Sequence, residues 1–292
     1  MNGNGVPLAD RTSESENNAV PVLERLYFYL TEGCNLACRH CWLAPRFDRD
    51  GTRYPTLPVE LFESAIREAN PLGLKAVKLT GGEPLLHPQF VRLLEIVRRE
   101  ELDLTIETNG LLCTPAIAAE IAKSPNRFVS VSIDGADAAT HDGVRGVPGS
   151  FDGAQQAVRN LVAAGIQPQV IMSVMRCNAD QIEAVVRLAE SLGAASLKFN
   201  IVQPTGRGEA FRDGDTGLEV PELIRLGRRV DRELSGETPL RLIFDYPLAF
   251  RPLRRIADGE GGTCGILAIL GVLAGGHYAL CGIALAVLTV YR

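Results

Sequence analysis

Short apolar runs of strand length alternate with stretches whose apolar residues recur at helical spacing, from Leu26 to about Gln203. The pattern predicts strands at 26–30, 76–79, 104–107, 128–133, 169–174 and 196–201, most of them rich in branched residues. Between them, apolar positions fall on one helical face: Leu61, Phe62, Ala65, Ile66 and Ala69; Phe90, Leu93, Leu94 and Val97; Ala154, Ala157, Val158, Leu161 and Val162; Ile182, Val185, Val186 and Ala189. Local signals agree. Thr114 and Ser150 are placed to cap helices, Pro58, Pro88 and Pro115 suit a first helical turn, and Gly73, Gly165 and Gly193 suit left-handed helix ends. Six strand–helix units in strict alternation predict an α/β chain with a parallel sheet, because parallel neighbours need right-handed crossovers. A partial (β/α)6 TIM-like barrel leads, with a doubly wound sheet as the alternative. In both, reactive residues belong in the loops after the strands.

Past Pro204 the rhythm changes. TGRGEAFRDGDTG reads as a loop, 220–234 as a helix and 240–244 as a strand. This divides the chain into a flexible N-terminus at 1–24, a barrel portion at 25–205 and a C-terminal extension at 206–292. From Thr263 to Tyr291 there is no Asp, Glu, Lys or Arg, a length that raises the question of a membrane-spanning helix. Gly275-Gly276-His277 interrupts that stretch, so a hairpin of two apolar strands, covered on both faces, is the expected form.

With 46% hydrophobic and 22% charged residues and a net charge of -5, collagenous, wholly disordered and disulfide-knot classes are excluded. No basic block supports phosphate neutralisation, so nucleic acid is not an expected partner. The polar N-terminal residues lack the apolar run of a signal peptide, which predicts a cytoplasmic, reducing setting. Three of the seven cysteines crowd into 34–41, a distribution that suggests ligation more than disulfides.

That cluster reads Cys34-Asn-Leu-Ala-Cys38-Arg-His-Cys41-Trp42, on the loop after the first strand. Three thiolates can hold three irons of a [4Fe–4S] cluster and leave the fourth open. A zinc site, or a redox pair of Cys38 and Cys41, uses the same residues. After the second strand stands Thr80-Gly81-Gly82-Glu83-Pro84, whose glycines permit close backbone approach to a ligand and whose carboxylate can receive an ammonium group. Alone, it is also an ordinary acidic turn.

Together, CNLACRHCW and TGGEP resemble the radical S-adenosylmethionine superfamily, and the six units match that family's partial barrel over roughly 25–205. The resemblance implies Cys34, Cys38 and Cys41 as ligands of a [4Fe–4S] cluster. It also implies S-adenosylmethionine on the open iron, with Gly81, Gly82 and Glu83 at its methionine end. Asn109 and Ser132, at later strand ends, are expected partners of the cofactor's carboxylate or ribose, or caps of their own turns. Arg145, in HDGVRG, is a candidate for the carboxylate because guanidinium binds carboxylates in bidentate fashion. Asn200 is a weaker candidate, and His87 reads as a cap before Pro88. His40 stands where the family often has an aromatic residue.

Cys264 and Cys281 make a C-x11-G-x4-C pattern that resembles the start of a SPASM/twitch extension, which houses auxiliary iron–sulfur clusters. Such an extension has several more cysteines, whereas eleven residues follow Cys281 here. Three alternatives stand: a truncated extension, a contribution from Cys113 or Cys177, or no auxiliary cluster. Both of those cysteines otherwise read as small buried hydrophobes. The subgroup implies reductive cleavage of S-adenosylmethionine to a 5′-deoxyadenosyl radical that takes a hydrogen atom from a substrate. The expected substrate is a ribosomally made precursor peptide, crosslinked or epimerised, with an external electron donor and a separate peptide-recognition protein as partners. A small-molecule pathway of tetrapyrrole or molybdopterin type is the second reading, and a non-catalytic metal-binding scaffold the third.

Overall fold

The computed structural model describes residues 22–47, 54–211, 217–245 and 265–280. Its strands are β1 (Arg25–Tyr29), β2 (Gly33–Cys34), β3 (Arg46–Phe47), β4 (Ala76–Thr80), β5 (Asp103–Thr108), β6 (Arg127–Ser132), β7 (Gln169–Val174), β8 (Ser196–Ile201), β9 (Arg241–Asp245), β10 (Ile269–Leu273) and β11 (Tyr278–Ala279). Its helices are α1 (Val59–Ala69), α2 (Phe90–Arg99), α3 (Pro115–Ala122), α4 (Ala138–Arg145), α5 (Ser150–Ala163), α6 (Ile182–Ser191) and α7 (Val220–Arg232). One nine-stranded sheet runs in the order β11-β10-β1-β4-β5-β6-β7-β8-β9, and β2 pairs with β3 apart from it. All pairs in the large sheet are parallel except β10 with β11. The six expected strands are β1 and β4 to β8, and among the described residues β9 and β11 are the sheet's two unpaired edges, so the barrel is partial.

Alternation along the strands sorts the two faces. Phe28, Leu79, Ile106, Val129, Val131, Met172, Leu197 and Phe199 are fully buried under the helices. Phe28 meets Phe62 of α1 with ring centroids 4.2 Å apart. The other face is polar. Lys78 pairs with Glu107 at 2.6 Å, Ser130 donates to Gln169, Gln169 donates to Ser196, and Lys198 pairs with Asp245 at 2.8 Å. A parallel sheet buried on both faces would be apolar on both. This one carries paired charges and hydrogen-bonded polar side chains on its inner face, beside Tyr29 and Ile171.

Some local expectations are corrected. Ser150 is the first residue of α5, after a left-handed Gly149 with φ of 81°, and does not cap it. Asp142 does: its carboxylate accepts from the Gly149 amide at 2.7 Å, the Ser150 hydroxyl at 2.7 Å and the Phe151 amide at 2.8 Å. Pro58 and Pro88 stand just before α1 and α2, whereas Pro115 does open α3 under a Thr114 cap. HDGVRG forms the end of α4, which is capped by Asp137 and closed by a left-handed Gly146; Gly143 lowers the local helix propensity and hides the helix in the sequence. Gly206–Phe211, in the stretch read as a loop, form a short 3-10 helix. The uncharged stretch turns between β10 and β11 as a hairpin, with Gly276 at φ of 79°. Among the described residues no helix is long and apolar enough to cross a membrane. Cys264 and Cys281 lie outside the described residues.

The turn after β4 lies flush against the loop after β1. The Gly82 amide donates to the Thr31 carbonyl and the Glu83 amide to the Gly33 carbonyl, each at 2.9 Å. A Cβ on Gly82 would strike the Gly33 carbonyl oxygen. Glycine is therefore required here by the approach of the chain to itself. Gly82→Ala is expected to cost roughly 1–3 kcal/mol, read as a lower urea midpoint at unchanged slope. Asp142→Ala is expected to cost about 1–2 kcal/mol at pH 7. Burial tends to raise the Asp142 carboxyl, but its hydrogen bonds outweigh this and hold it below the ordinary 3.8. Its contribution is therefore present above pH 3.8 and lost as pH falls through the lower folded value. The stability gap between wild type and variant should close in acid.

Candidate metal centre

The loop from Cys34 to Cys41 has no helix or ladder of its own for most of its amides, and its neighbours supply the partners. Ala37 donates to the Arg145 carbonyl at 3.0 Å and Arg39 to the Val144 carbonyl at 2.9 Å. These carbonyls belong to the last turn of α4, which leaves them without intrahelical partners. From the other side, Arg207 donates through its amide to the Cys41 carbonyl at 3.0 Å, through Nε to the Cys38 carbonyl at 2.8 Å, and through Nη1 to the Pro45 carbonyl at 3.2 Å. A Cβ at Gly206 would strike the Trp42 carbonyl, so this contact also requires glycine.

Cys34 and Cys38 are 6% exposed, Cys41 is half-buried, and all three are free thiols. Leu36, Leu111 and Val147 pack around them as a small apolar cluster separate from the main core. The sulfurs face donors. Cys34 Sγ accepts from the Leu36 amide at 3.4 Å and from Asn109 Nδ2 at 3.8 Å, and Cys38 Sγ accepts from Arg145 Nη1 at 3.6 Å. Burial pushes the Cys34 thiol up to about 12, with the Glu83 charge adding to it. Burial also raises Cys38, against the opposing Arg145. Metal binding must therefore displace protons from these thiols. No group of three His, Cys, Asp or Glu among the described residues is gathered as around a single ion. Three soft thiol donors on one loop, with N–H groups aimed at two of the sulfurs, fit an iron–sulfur cluster.

Glu83 is 1% exposed and its carboxylate is mostly engaged. Oε1 accepts from the Thr108 hydroxyl at 2.6 Å and the Leu85 amide at 3.1 Å, and Oε2 accepts from the Asn109 amide at 2.8 Å. A carboxylate has about four acceptor sites, so about one remains for a ligand. Burial raises Glu83 to about 7, and those three hydrogen bonds act against it. Asn109 is also committed: Nδ2 donates to Asn35 Oδ1 at 2.7 Å and Oδ1 accepts from the Leu111 amide at 3.0 Å. Ser132 is half-buried at the end of β6, and the Asn200 side-chain oxygen on β8 is buried with no hydrogen-bond partner. A cavity of about 270 Å³ opens beside Gly81 and Gly82, lined also by Thr31, Glu32, Arg46 and, at the end of β10, Leu273 and Ala274.

Arg145 lies on α4, 7% exposed, with Nε 2.8 Å from Asp134 Oδ2. Asp134, at 0% exposure, follows β6 and accepts from the Ser173 amide at 2.8 Å. Burial raises the Asp134 carboxyl, but the Arg145 charge and smaller contributions hold it below its usual range. His40 Nε2 is 3.7 Å from the same oxygen, yet burial lowers His40 to about 4, so it is neutral near pH 7 and this contact is no ion pair. Asp134 and Arg207 carry parts of the site that no spacing rule pointed to; the Gly-Arg-Gly after β8 and the Asp-Gly after β6 were the visible signals. His87 is not the cap of α2, which is Gln89: His87 ends the preceding 3-10 turn, its Nδ1 accepts from the Gln89 amide at 3.2 Å, and its Nε2 lies 2.8 Å from the Leu57 carbonyl. Cys113 is buried as expected, whereas Cys177 is exposed.

The radical SAM superfamily model matches residues 28–189. Mycofactocin maturase MftC of Mycolicibacterium smegmatis is 36% identical over 218 residues, covering 73% of this chain and 54% of that protein. An AdoMet-dependent heme synthase of Nitratidesulfovibrio vulgaris is 31% identical over 194 residues, covering 66% and 52% respectively. The chain spans about half the length of these curated relatives. In fold, it is similar to Streptococcus suis SuiB solved with its precursor peptide SuiA, with a TM-score of 0.76 at 19% identity over 93% of this chain and 62% of that one. The matched region contains the three-cysteine loop, the Gly-Gly-Glu turn and the Arg145 helix, and the chain belongs to the radical SAM superfamily.

Proposed function

We propose that this chain is a radical S-adenosylmethionine enzyme whose substrate is a ribosomally made precursor peptide. The observation that carries the enzyme reading is the buried loop of three free thiols with N–H donors at the Cys34 and Cys38 sulfurs, set against the Gly-Gly-Glu turn. When bound, a [4Fe–4S] cluster and S-adenosylmethionine supply reductive cleavage and a 5′-deoxyadenosyl radical that removes a hydrogen atom from the substrate. Cys34, Cys38 and Cys41 hold the cluster. The backbone of Gly81 and Gly82, and the acceptor site left on Glu83, receive the methionine end of the cofactor. Ser132, at the polar mouth, is a further cofactor contact, and Asn109 serves by holding the loop that carries Cys34. The small apolar cluster around the thiols excludes water and oxygen.

The peptide reading is supported by the maturase relative, and the fold of SuiB agrees with it. It brings an external electron donor, a separate recognition protein and a cytoplasmic setting as further parts of the proposal. An auxiliary cluster on Cys264 and Cys281 would belong to the extension. The heme synthase, at 31% identity, favours a second reading in which the substrate is a tetrapyrrole.

Anaerobic reconstitution with iron and sulfide tests the enzyme reading. Reduced protein is expected to bind about four irons and to release 5′-deoxyadenosine from S-adenosylmethionine. The joint variant Cys34→Ala/Cys38→Ala/Cys41→Ala is expected to lose both. Unchanged iron in that variant would refute the assignment. About eight irons in the wild type would mean an auxiliary cluster. The substrate readings separate by mass spectrometry. A mass change in a peptide encoded by a short reading frame beside this gene supports the first, and turnover of a tetrapyrrole precursor alone supports the second.

A further inference from the structure

Arg145 touches the three-cysteine loop in two ways. Its main-chain carbonyl accepts the Ala37 amide at 3.0 Å, and its Nη1 reaches Cys38 Sγ at 3.6 Å. Its Nε lies 2.8 Å from Asp134 Oδ2, a buried ion pair at close range without an aligned hydrogen bond. Asp134 is fixed independently of Arg145. Its Oδ1 accepts from the Ser173 amide at 2.8 Å, its amide donates to His141 Nδ1 at 3.1 Å, and its carbonyl accepts from Asn178 Nδ2 at 2.8 Å. The carboxylate thus aims the guanidinium from a rigid seat, leaving its Nη edge toward the sulfur. Of the two loop sulfurs with donors described above, Cys38 alone faces a charged one; those of Cys34 are an amide and a carboxamide.

We infer that Arg145 is a positioning residue that holds a permanent positive charge against the Cys38 thiolate and thereby raises the reduction potential of the cluster, with Asp134 setting its aim and limiting its strength. The physical basis is general: hydrogen bonds to ligating sulfurs and the net charge around a cluster set its potential. Reduction adds an electron to an already anionic centre, and a buried cation beside a ligating sulfur stabilises that extra charge most where water is excluded. Leu36, Leu111 and Val147 provide that exclusion. The inference rests on the reading that these cysteines hold a cluster. It differs from the carboxylate-binding role implied by family resemblance, because the Nε edge is occupied by this chain's own Asp134 and a cluster ligand is already in reach.

The test is an EPR-monitored redox titration of the reconstituted full chain without S-adenosylmethionine, with iron content and thermal unfolding measured on the same samples. Arg145→Gln/Asp134→Asn removes both charges of the buried pair, so the fold is not left with an unpaired ion. At the wild-type midpoint potential its reduced-to-oxidised ratio should fall about tenfold, equivalent to about 59 mV for a one-electron couple. Asp134→Asn alone should move the ratio the opposite way, because the attenuating charge is gone while the cation stays. A double variant that holds no iron leaves that upward shift as the required result. Unchanged potentials in both variants, with or without lower melting temperatures, overturn the inference and leave Arg145 a structural ion pair. Unchanged potentials with weakened S-adenosylmethionine binding overturn it in favour of cofactor recognition. In both cases an intact wild-type cluster signal leaves the proposed function standing, whereas a wild type that assembles no cluster overturns both.

Discussion

An irregular loop can hold reactive groups in place only if its backbone polar groups find fixed partners, and the eight residues from Cys34 to Cys41 meet that condition with groups from outside the loop. The last carbonyls of α4 take two of its amides, and Arg207 takes two of its carbonyls. The turn after β4 presses on Gly33, the residue just before that loop, closely enough to exclude a side chain at Gly82. Sites built by loops alone tend to be loose, whereas this one is braced by strand ends and a helix terminus. The thiols keep their places because α4, the turn after β4 and the 3-10 helix after β8 keep theirs.

Two buried carboxylates tie these supports to the sheet. Glu83 bridges the end of β4 to the end of β5 through Thr108 and Asn109. Asp134 bridges the end of β6 to the end of β7 through Ser173, and to α4 through Arg145. Removing one partner from such an arrangement strands a desolvated charge, which costs far more than the bond itself contributes. The strand ends therefore move together. The polar interior face of the sheet follows the same logic, since each charged side chain noted there has an opposite one beside it.

The strands were legible because alternation and branched residues are local properties: β7 and β8 occur at the expected residues, and the others within a residue or two. The thiol loop and the Gly-Gly-Glu turn were legible because each is a contiguous string. What escaped was long-range or masked by composition. Asp134 was visible only as part of a strand-end turn, and nothing in its neighbourhood announces Arg145 as its partner across a helix. Arg207 acts on carbonyls far away in the chain, in a glycine-rich stretch that reads as a loop. Ser150 has the residue type of a cap, whereas Asp142 does that work from the preceding helix. At Gly82 the close approach that glycine permits is made on one side by the Gly33 carbonyl, a contact between distant segments that no local string announces.

The pairing of β10 with β1 joins segments that lie nearly the whole described chain apart, with Leu26 opposite Leu270. Non-local pairing of this kind is slow to form, because the loop must close before the contact stabilises anything. During synthesis at roughly 5–20 residues per second, β1 waits on the order of tens of seconds for this partner. For that interval the edge of β1 that will bind β10 presents open hydrogen-bonding groups beside the thiol loop, and such edges recruit foreign strands. Synthesis on the ribosome is thus a stage at which the β1 edge lies open to aggregation, and β10 is the segment that covers it.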